Sequence, residues 1–231
     1  NSVNKPYLEI KLADRNPPSL SVTGVTYDHG YALSATPAIT ASDAENGVKS
    51  VTTLLDGQPY VSGTAVTALG IHTLNAAAID YAGNQTAQTV AFAVYDPTKG
   101  PAAAAGWFPG TDSLTVTDSA YGKIHLVAKL GYDRFGQPEG RLSLHMQSQS
   151  GGGGLKLELQ TIGMLVIDSS ALHVQGTARG PDNAEYVVRL SLRQPSANTP
   201  ALASLTVSRA GTSGPIVRQI DRPLTGNVKF H

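Results

Sequence analysis

Leu55-Asp56-Gly57, Gly70-Ile71-His72-Thr73-Leu74 and Asp80-Tyr81-Ala82-Gly83-Asn84 are the stretches that decide the fold. Asp56-Gly57 is a two-residue hairpin signal, because glycine accepts the positive φ that a type I′ turn demands. In Asp80 to Asn84 the aspartate can accept backbone N–H bonds across a turn while Gly83 takes the left-handed conformation. Ile71, Leu74, Ala76 and Ala78 lie between the two turns, with Phe92 beyond them. They offer small and branched apolar groups to the inner faces of a sheet pair. Turn signals recur about every eight to twelve residues from Pro17 to Asp96, the spacing of a β-sandwich.

Outward from there, helical periodicity is nearly absent. The Ala run between Pro101 and Gly106 is too short to hold a helix. Period-two alternation recurs instead, as in Leu8, Ile10 and Leu12, and Thr89 to Tyr95, Leu155 to Leu159, Tyr186 to Leu192 and Ala203 to Val207 read as strands. The pattern predicts an all-β chain, a β-sandwich followed by a second antiparallel sandwich or barrel-like domain. Composition breaks at Tyr95-Asp96-Pro97-Thr98-Lys99-Gly100-Pro101. Residues 1–16 read as an extra strand or the end of an upstream domain, 17–96 as the sandwich, 97–105 as a linker, and 106–231 as a second all-β accessory domain.

The 231 residues carry 17 Lys and Arg against 17 Asp and Glu, with 24 Gly, 14 Pro and no Cys. Charged residues are only 15% of the chain, against about 25% in ordinary soluble domains. The absence of cysteine excludes disulfides, thiolate metal sites and cysteine nucleophiles. Up to residue 100 there are 5 basic and 8 acidic residues, and beyond it 12 and 9, so the halves carry net −3 and +3. Neither reaches the basic density of a nucleic-acid binder, and no apolar run approaches the ~20 residues that span a bilayer. Neither nucleic acid nor membrane insertion is expected. The start at Asn1 reads as a mature product or an excised fragment.

Ser42-Asp43-Ala44-Glu45-Asn46-Gly47-Val48-Lys49-Ser50-Val51, Leu55-Asp56-Gly57, Gly70 to Leu74 and Asp80 to Asn84 together resemble the bacterial immunoglobulin-like modules of secreted and surface proteins. The likeness covers residues 18–95 and implies a seven-strand immunoglobulin-like sandwich used as a spacer. The second half presents an ordered series: Gly106-Trp107, Gly122 to Leu126, Pro138 to Leu144, Leu155 to Leu159, Leu165 to Ile167, Gly176 to Gly180, Tyr186 to Leu192 and Ser204 to Arg209. That order is similar to the post-COAP domain, a C-terminal accessory domain of secreted bacterial proteins. It departs from the family at Ser204 to Ala210 and at Thr177 to Gly180.

No catalytic constellation stands out. The histidines at 29, 72, 125, 145, 173 and 231 are scattered, with His72 read as a sandwich-surface residue. Asp133, Glu139, Asp168 and Asp182 could pair as glycosidase carboxylates only by convergence in the fold. Gly151 to Gly154 precedes a strand and reads as a hairpin loop. Asp43, Glu45 and Asp80, with Asp56 and Asn84 nearby, are candidates for a structural calcium ion, although ordinary turn chemistry accounts for the same residues. No other cofactor is expected. Tyr132, Phe135 and Trp107 are candidates for stacking on a polysaccharide or cell-wall glycan.

These patterns predict a non-catalytic accessory or spacer region of a secreted or cell-surface bacterial multidomain protein. It would lie C-terminal to a catalytic domain and be a monomer tethered to it. A carbohydrate- or cell-wall-binding module, or an adhesin fragment, is the alternative.

Overall fold

The computed structural model describes residues 14–110, 121–148, 153–212 and 214–230. The extra strand or domain end expected at 1–16 lies outside them up to residue 13, as do Gly151 and Gly152 of the glycine run. Among the described residues every regular element is a strand.

The first domain has seven strands. β1 (Ser19–Thr23) pairs with β3 (Ala38–Ser42) in a two-stranded sheet. β2 (His29–Ala32), β4 (Val48–Leu55), β5 (Gln58–Pro59), β6 (Gly70–Asp80) and β7 (Gln85–Tyr95) form the second sheet in the order β2-β7-β6-β4-β5. The β2–β7 pair is parallel. Asp56 (φ 52°) and Gly57 (φ 80°) both lie in the left-handed region, as a type I′ turn requires, and set the β4–β5 hairpin. Val25, Ala35, Val66, Leu74, Val90, Phe92 and Val94 form the core between the sheets.

Parity along β6 corrects two expectations. Side chains alternate faces, so Leu74, Ala76 and Ala78 point inward together with His72 and Asp80. Ile71, an odd number of positions from Leu74, points outward and is 44% exposed. His72 is 6% exposed and not a surface residue.

The second domain is an up-and-down meander. β8 (Ala102–Pro109), β9 (Tyr121–Tyr132), β10 (Pro138–Ser148), β11 (Leu155–Ile167), β12 (Ala171–Arg179), β13 (Glu185–Arg193), β14 (Leu202–Arg209) and β15 (Val217–Pro223) each pair antiparallel with the next. β16 (Thr225–Phe230) then returns to β8. β15 and β16 are two halves of one bent stretch, the first on β14 and the second on β8, so the sheet nearly closes. At the bend Leu224 N–H donates to the Ala201 carbonyl (2.7 Å). The buried Gln219 amide donates to the Gly110 carbonyl (3.0 Å) across the closure. Even-numbered residues of β9 and β10, from Ile124 to Leu130 and Leu142 to Met146, fill the interior. Barrels of about this size are just wide enough for side chains to fill.

The linker expected at 97–105 is therefore shorter. From Ala102 onward the alanines belong to β8, with Ala102 and Ala104 buried in the barrel core. Small side chains there suit a strand squeezed between β9 and the closing β16.

The two domains meet through an apolar contact. Residues 92–95 of β7 and 164–167 of β11 are buried on both strand faces. One face of each strand packs its own core. The other brings Ala93 and Tyr95 against Met164 and Val166, with Tyr132 alongside. The Tyr95 and Tyr132 rings stack with centroids 4.9 Å apart and planes 6° from parallel. Tyr95 O–H donates to the Gly136 carbonyl (3.1 Å) and Tyr132 O–H to the Leu165 carbonyl (2.9 Å). At the rim Arg189 donates to Asp28 (3.3 Å) and to Gln175 (2.7 Å). A Cβ on Gly163 would lie 2.5 Å from the Asp28 carbonyl oxygen, so only glycine lets the strands approach this closely.

Candidate functional site

The residues expected to carry chemistry fall in three places. The first is the end of the sandwich where the β3–β4 and β6–β7 turns lie. Asp43 Oδ1 accepts the backbone N–H groups of Glu45, Asn46 and Gly47. Asp80 is fully buried, and its carboxylate accepts the backbone and side-chain N–H groups of Asn84. Burial is the largest influence on the Asp80 carboxyl and would raise its pKa. The bonds from Asn84, Gly83 and Ala82 together outweigh burial and hold it below the ordinary value.

Asp14 completes a trio. Asp14, Asp43 and Asp80 each place one carboxylate oxygen within 4.8 Å of the others. Three such carboxylates are the donor type a hard cation such as calcium takes. Glu45, expected in that set, instead accepts a bond from the Asn16 amide (2.6 Å). Asp56 is spent elsewhere, on His72 Nδ1 (2.7 Å) and Thr73 N–H (2.8 Å).

The second place is the tip of the β9–β10 hairpin. Phe135 is exposed, at 71%, with the Arg134 guanidinium 4.6 Å from its ring centre. Tyr132 is not its exposed partner, because one ring face lies on Tyr95 and the hydroxyl is used by Leu165. Burial pushes the Tyr132 phenol well above its ordinary pKa. The two rings expected to act as a stacking pair thus do different work.

The third place is the outer wall of the barrel formed by β8 to β11. Phe108 points into the core and Trp107 outward, half-buried, with the Lys123 ammonium 4.5 Å from its ring centre. Register sets Trp107 beside His125, His125 beside His145, and His145 beside Lys156. The imidazoles of His125 and His145 are 6.3 Å apart, so two histidines distant in sequence do converge. Among the described residues no third metal-type ligand joins them.

Further along the same wall, Lys229 sits beside Ala103, Ala103 beside Lys129, and Lys129 directly opposite Arg141. Like charges set opposite each other across a strand pair repel. Around them lie two depressions. One, of about 660 Å³, is lined by Lys99, Pro101, Gly131, Tyr132, Glu139, Gly140 and the two cations. The other, of about 460 Å³, is lined by Val127, Ser143, Glu158, Leu159 and the same two cations.

The remaining carboxylates are mostly committed to structure. Asp133 accepts the N–H groups of Phe135 and Gln137, and Asp168 those of Ser170 and Ala171. Asp182 pairs with Arg209 (3.2 Å). Glu139 faces the larger depression. No family model matches this chain, and no curated protein or solved structure matches it either.

Proposed function

We propose that this chain is a non-catalytic accessory module of a secreted bacterial multidomain protein, in which the sandwich holds the barrel in a fixed direction. The observation that carries the reading is the stacked Tyr95–Tyr132 pair inside a contact whose four central residues are at most 3% exposed. Interfaces between independently moving domains are comparatively polar, whereas the centre of this one is apolar. Several polar groups able to do chemistry are engaged in architecture. His72 is held between Asp56 and the Ala68 carbonyl, His173 bonds Ser191, and Asp133 and Asp168 cap turns.

The immunoglobulin-like and post-COAP likenesses belong to this reading as proposals. The seven strands of the sandwich agree with the first, but they divide two and five where constant-type immunoglobulin domains divide four and three. An adhesin working by strand addition finds little free edge on the barrel, whose two end strands are halves of one segment. The barrel is apolar inside and charged outside, the inverse of a lipid-facing barrel, and no helix among the described residues could cross a membrane.

The test is a panel of chromogenic glycosides, esters and peptides incubated with the purified chain. No turnover is expected. Turnover that co-purifies with the chain and is abolished by a single side-chain substitution overturns the reading.

A further inference from the structure

We propose that the groove divided by Lys129 and Arg141 on the outer wall of the barrel binds an acidic polysaccharide, a chain bearing carboxylate or sulfate groups. The proposal goes beyond the carrier role and can fail without it. Lys129 and Arg141 are cross-strand neighbours on β9 and β10, both exposed. Among the described residues neither side chain has an ion pair or a hydrogen bond, and that of Lys229 on the same transverse row has none either. A pair of adjacent cations costs stability when empty and is relieved by an anion set between them. The acids that could neutralise them are placed otherwise. Glu158 is bound to Lys156 (2.9 Å) and Asp96 lies 4.0 Å from Lys99, which leaves Glu139 as the one uncommitted carboxylate in the larger depression.

The shape of the site favours a sugar chain. Both depressions share Lys129 and Arg141, so the two cations stand between adjoining hollows, each large enough for a sugar ring. Their walls mix the half-buried ring of Tyr132 and the exposed Val127 with the hydroxyl of Ser143. A combination of apolar patches and few polar groups fits a ring with one apolar face and several hydroxyls. The planar guanidinium of Arg141 can grip a carboxylate or sulfate through two parallel bonds. Nucleic-acid binding draws on a longer series of phosphate contacts, about six to ten, and on aromatic platforms. Here the unpaired cations number three, and the first hundred residues carry a net charge of −3.

Affinity electrophoresis of the whole chain tests the proposal, in native gels holding polygalacturonate, dextran sulfate or neutral dextran. Fluorescence titration with a single-stranded oligonucleotide and with anionic vesicles runs beside it. Retardation by one or both acidic polymers and not by neutral dextran is expected. The apparent affinity should fall about tenfold or more in Lys129→Ala plus Arg141→Ala, as loss of two charge-assisted contacts implies. Arg218→Ala, on β15 and outside the groove, should bind as the parent does. The polygalacturonate and dextran sulfate arms show which acidic group is recognised. Both substitutions are at exposed positions, and unchanged thermal unfolding confirms the fold. The proposal is overturned by no retardation on either acidic polymer, by equal retardation of parent and double variant, or by oligonucleotide or vesicle binding at least as tight.

Discussion

Replacing Tyr95 with alanine removes the largest side chain of the buried cluster between the two domains. Its ring is 3% exposed, stacks on Tyr132 at 4.9 Å and packs beside Met164 and Val166. A buried aromatic truncated to alanine costs about 3–5 kcal/mol, of which the stacking geometry supplies about 0.5–1.5. The hydroxyl's bond to the Gly136 carbonyl contributes about 1 kcal/mol of that total. Tyr95→Phe keeps the ring and should therefore cost about 1 kcal/mol, so the pair of variants separates packing from hydrogen bonding. Urea unfolding can follow each domain separately. Trp107 is the only tryptophan and reports the barrel by fluorescence, while the His72 ring protons report the sandwich by NMR. The two probes should give coincident transitions in the parent and in Tyr95→Phe, and separate ones in Tyr95→Ala. A Tyr95→Ala cost under about 1 kcal/mol with coincident transitions would refute the reasoning.

Gly163→Val should act at the same junction by insertion. A Cβ already meets the Asp28 carbonyl at 2.5 Å, so the strands must separate by nearly an ångström, at about 1–3 kcal/mol. Thermal melts read that loss, and an unchanged midpoint counts against the contact. Asp43→Ala removes the acceptor of three backbone N–H groups and should lower stability by about 1–3 kcal/mol, with Asp43→Asn recovering part of it in urea titrations. Stability should also rise with pH. Asp80, Asp96 and Asp168 have native pKa values below the ordinary one, so their contribution is present above about pH 4 and is lost as pH falls through the lowered values. Burial, the largest cause, together with Arg193 lowers the His173 pKa against the opposing pull of Asp168. Its contribution is therefore complete above about pH 6.5 and is lost as pH falls through the lowered value. Urea midpoints from pH 3 to 8 check both steps, and His173→Asn should remove the upper one. A midpoint that is flat between pH 5 and 7 contradicts the assignment of His173.

The β-architecture was legible because its signals are local. Asp56-Gly57 needs positive φ at both positions, and the strands read at Tyr186 to Leu192 and Ala203 to Val207 alternate in the structure residue by residue. What was not legible depends on where strands meet. Ala91 to Tyr95 and Met164 to Ile167 are continuous apolar runs, the mark of strands covered on both faces, yet nothing local says that each covers the other. The face taken by Ile71 and His72 follows from strand parity counted from Leu74, which is also why the imidazole is buried. Asp14 joined Asp43 and Asp80 only through the fold, and the Lys129–Arg141 pair exists only once the β9–β10 register is known.

The account rests on the two domains forming one body. Residual dipolar couplings measured for backbone amides of β6 and β7 and of β9 to β13, in one aligned sample, test this directly. The prediction is that a single alignment tensor, with the domain orientation described above, fits both sets. Two tensors of different magnitude, or a common fit only after the barrel is rotated away from β7, would contradict it.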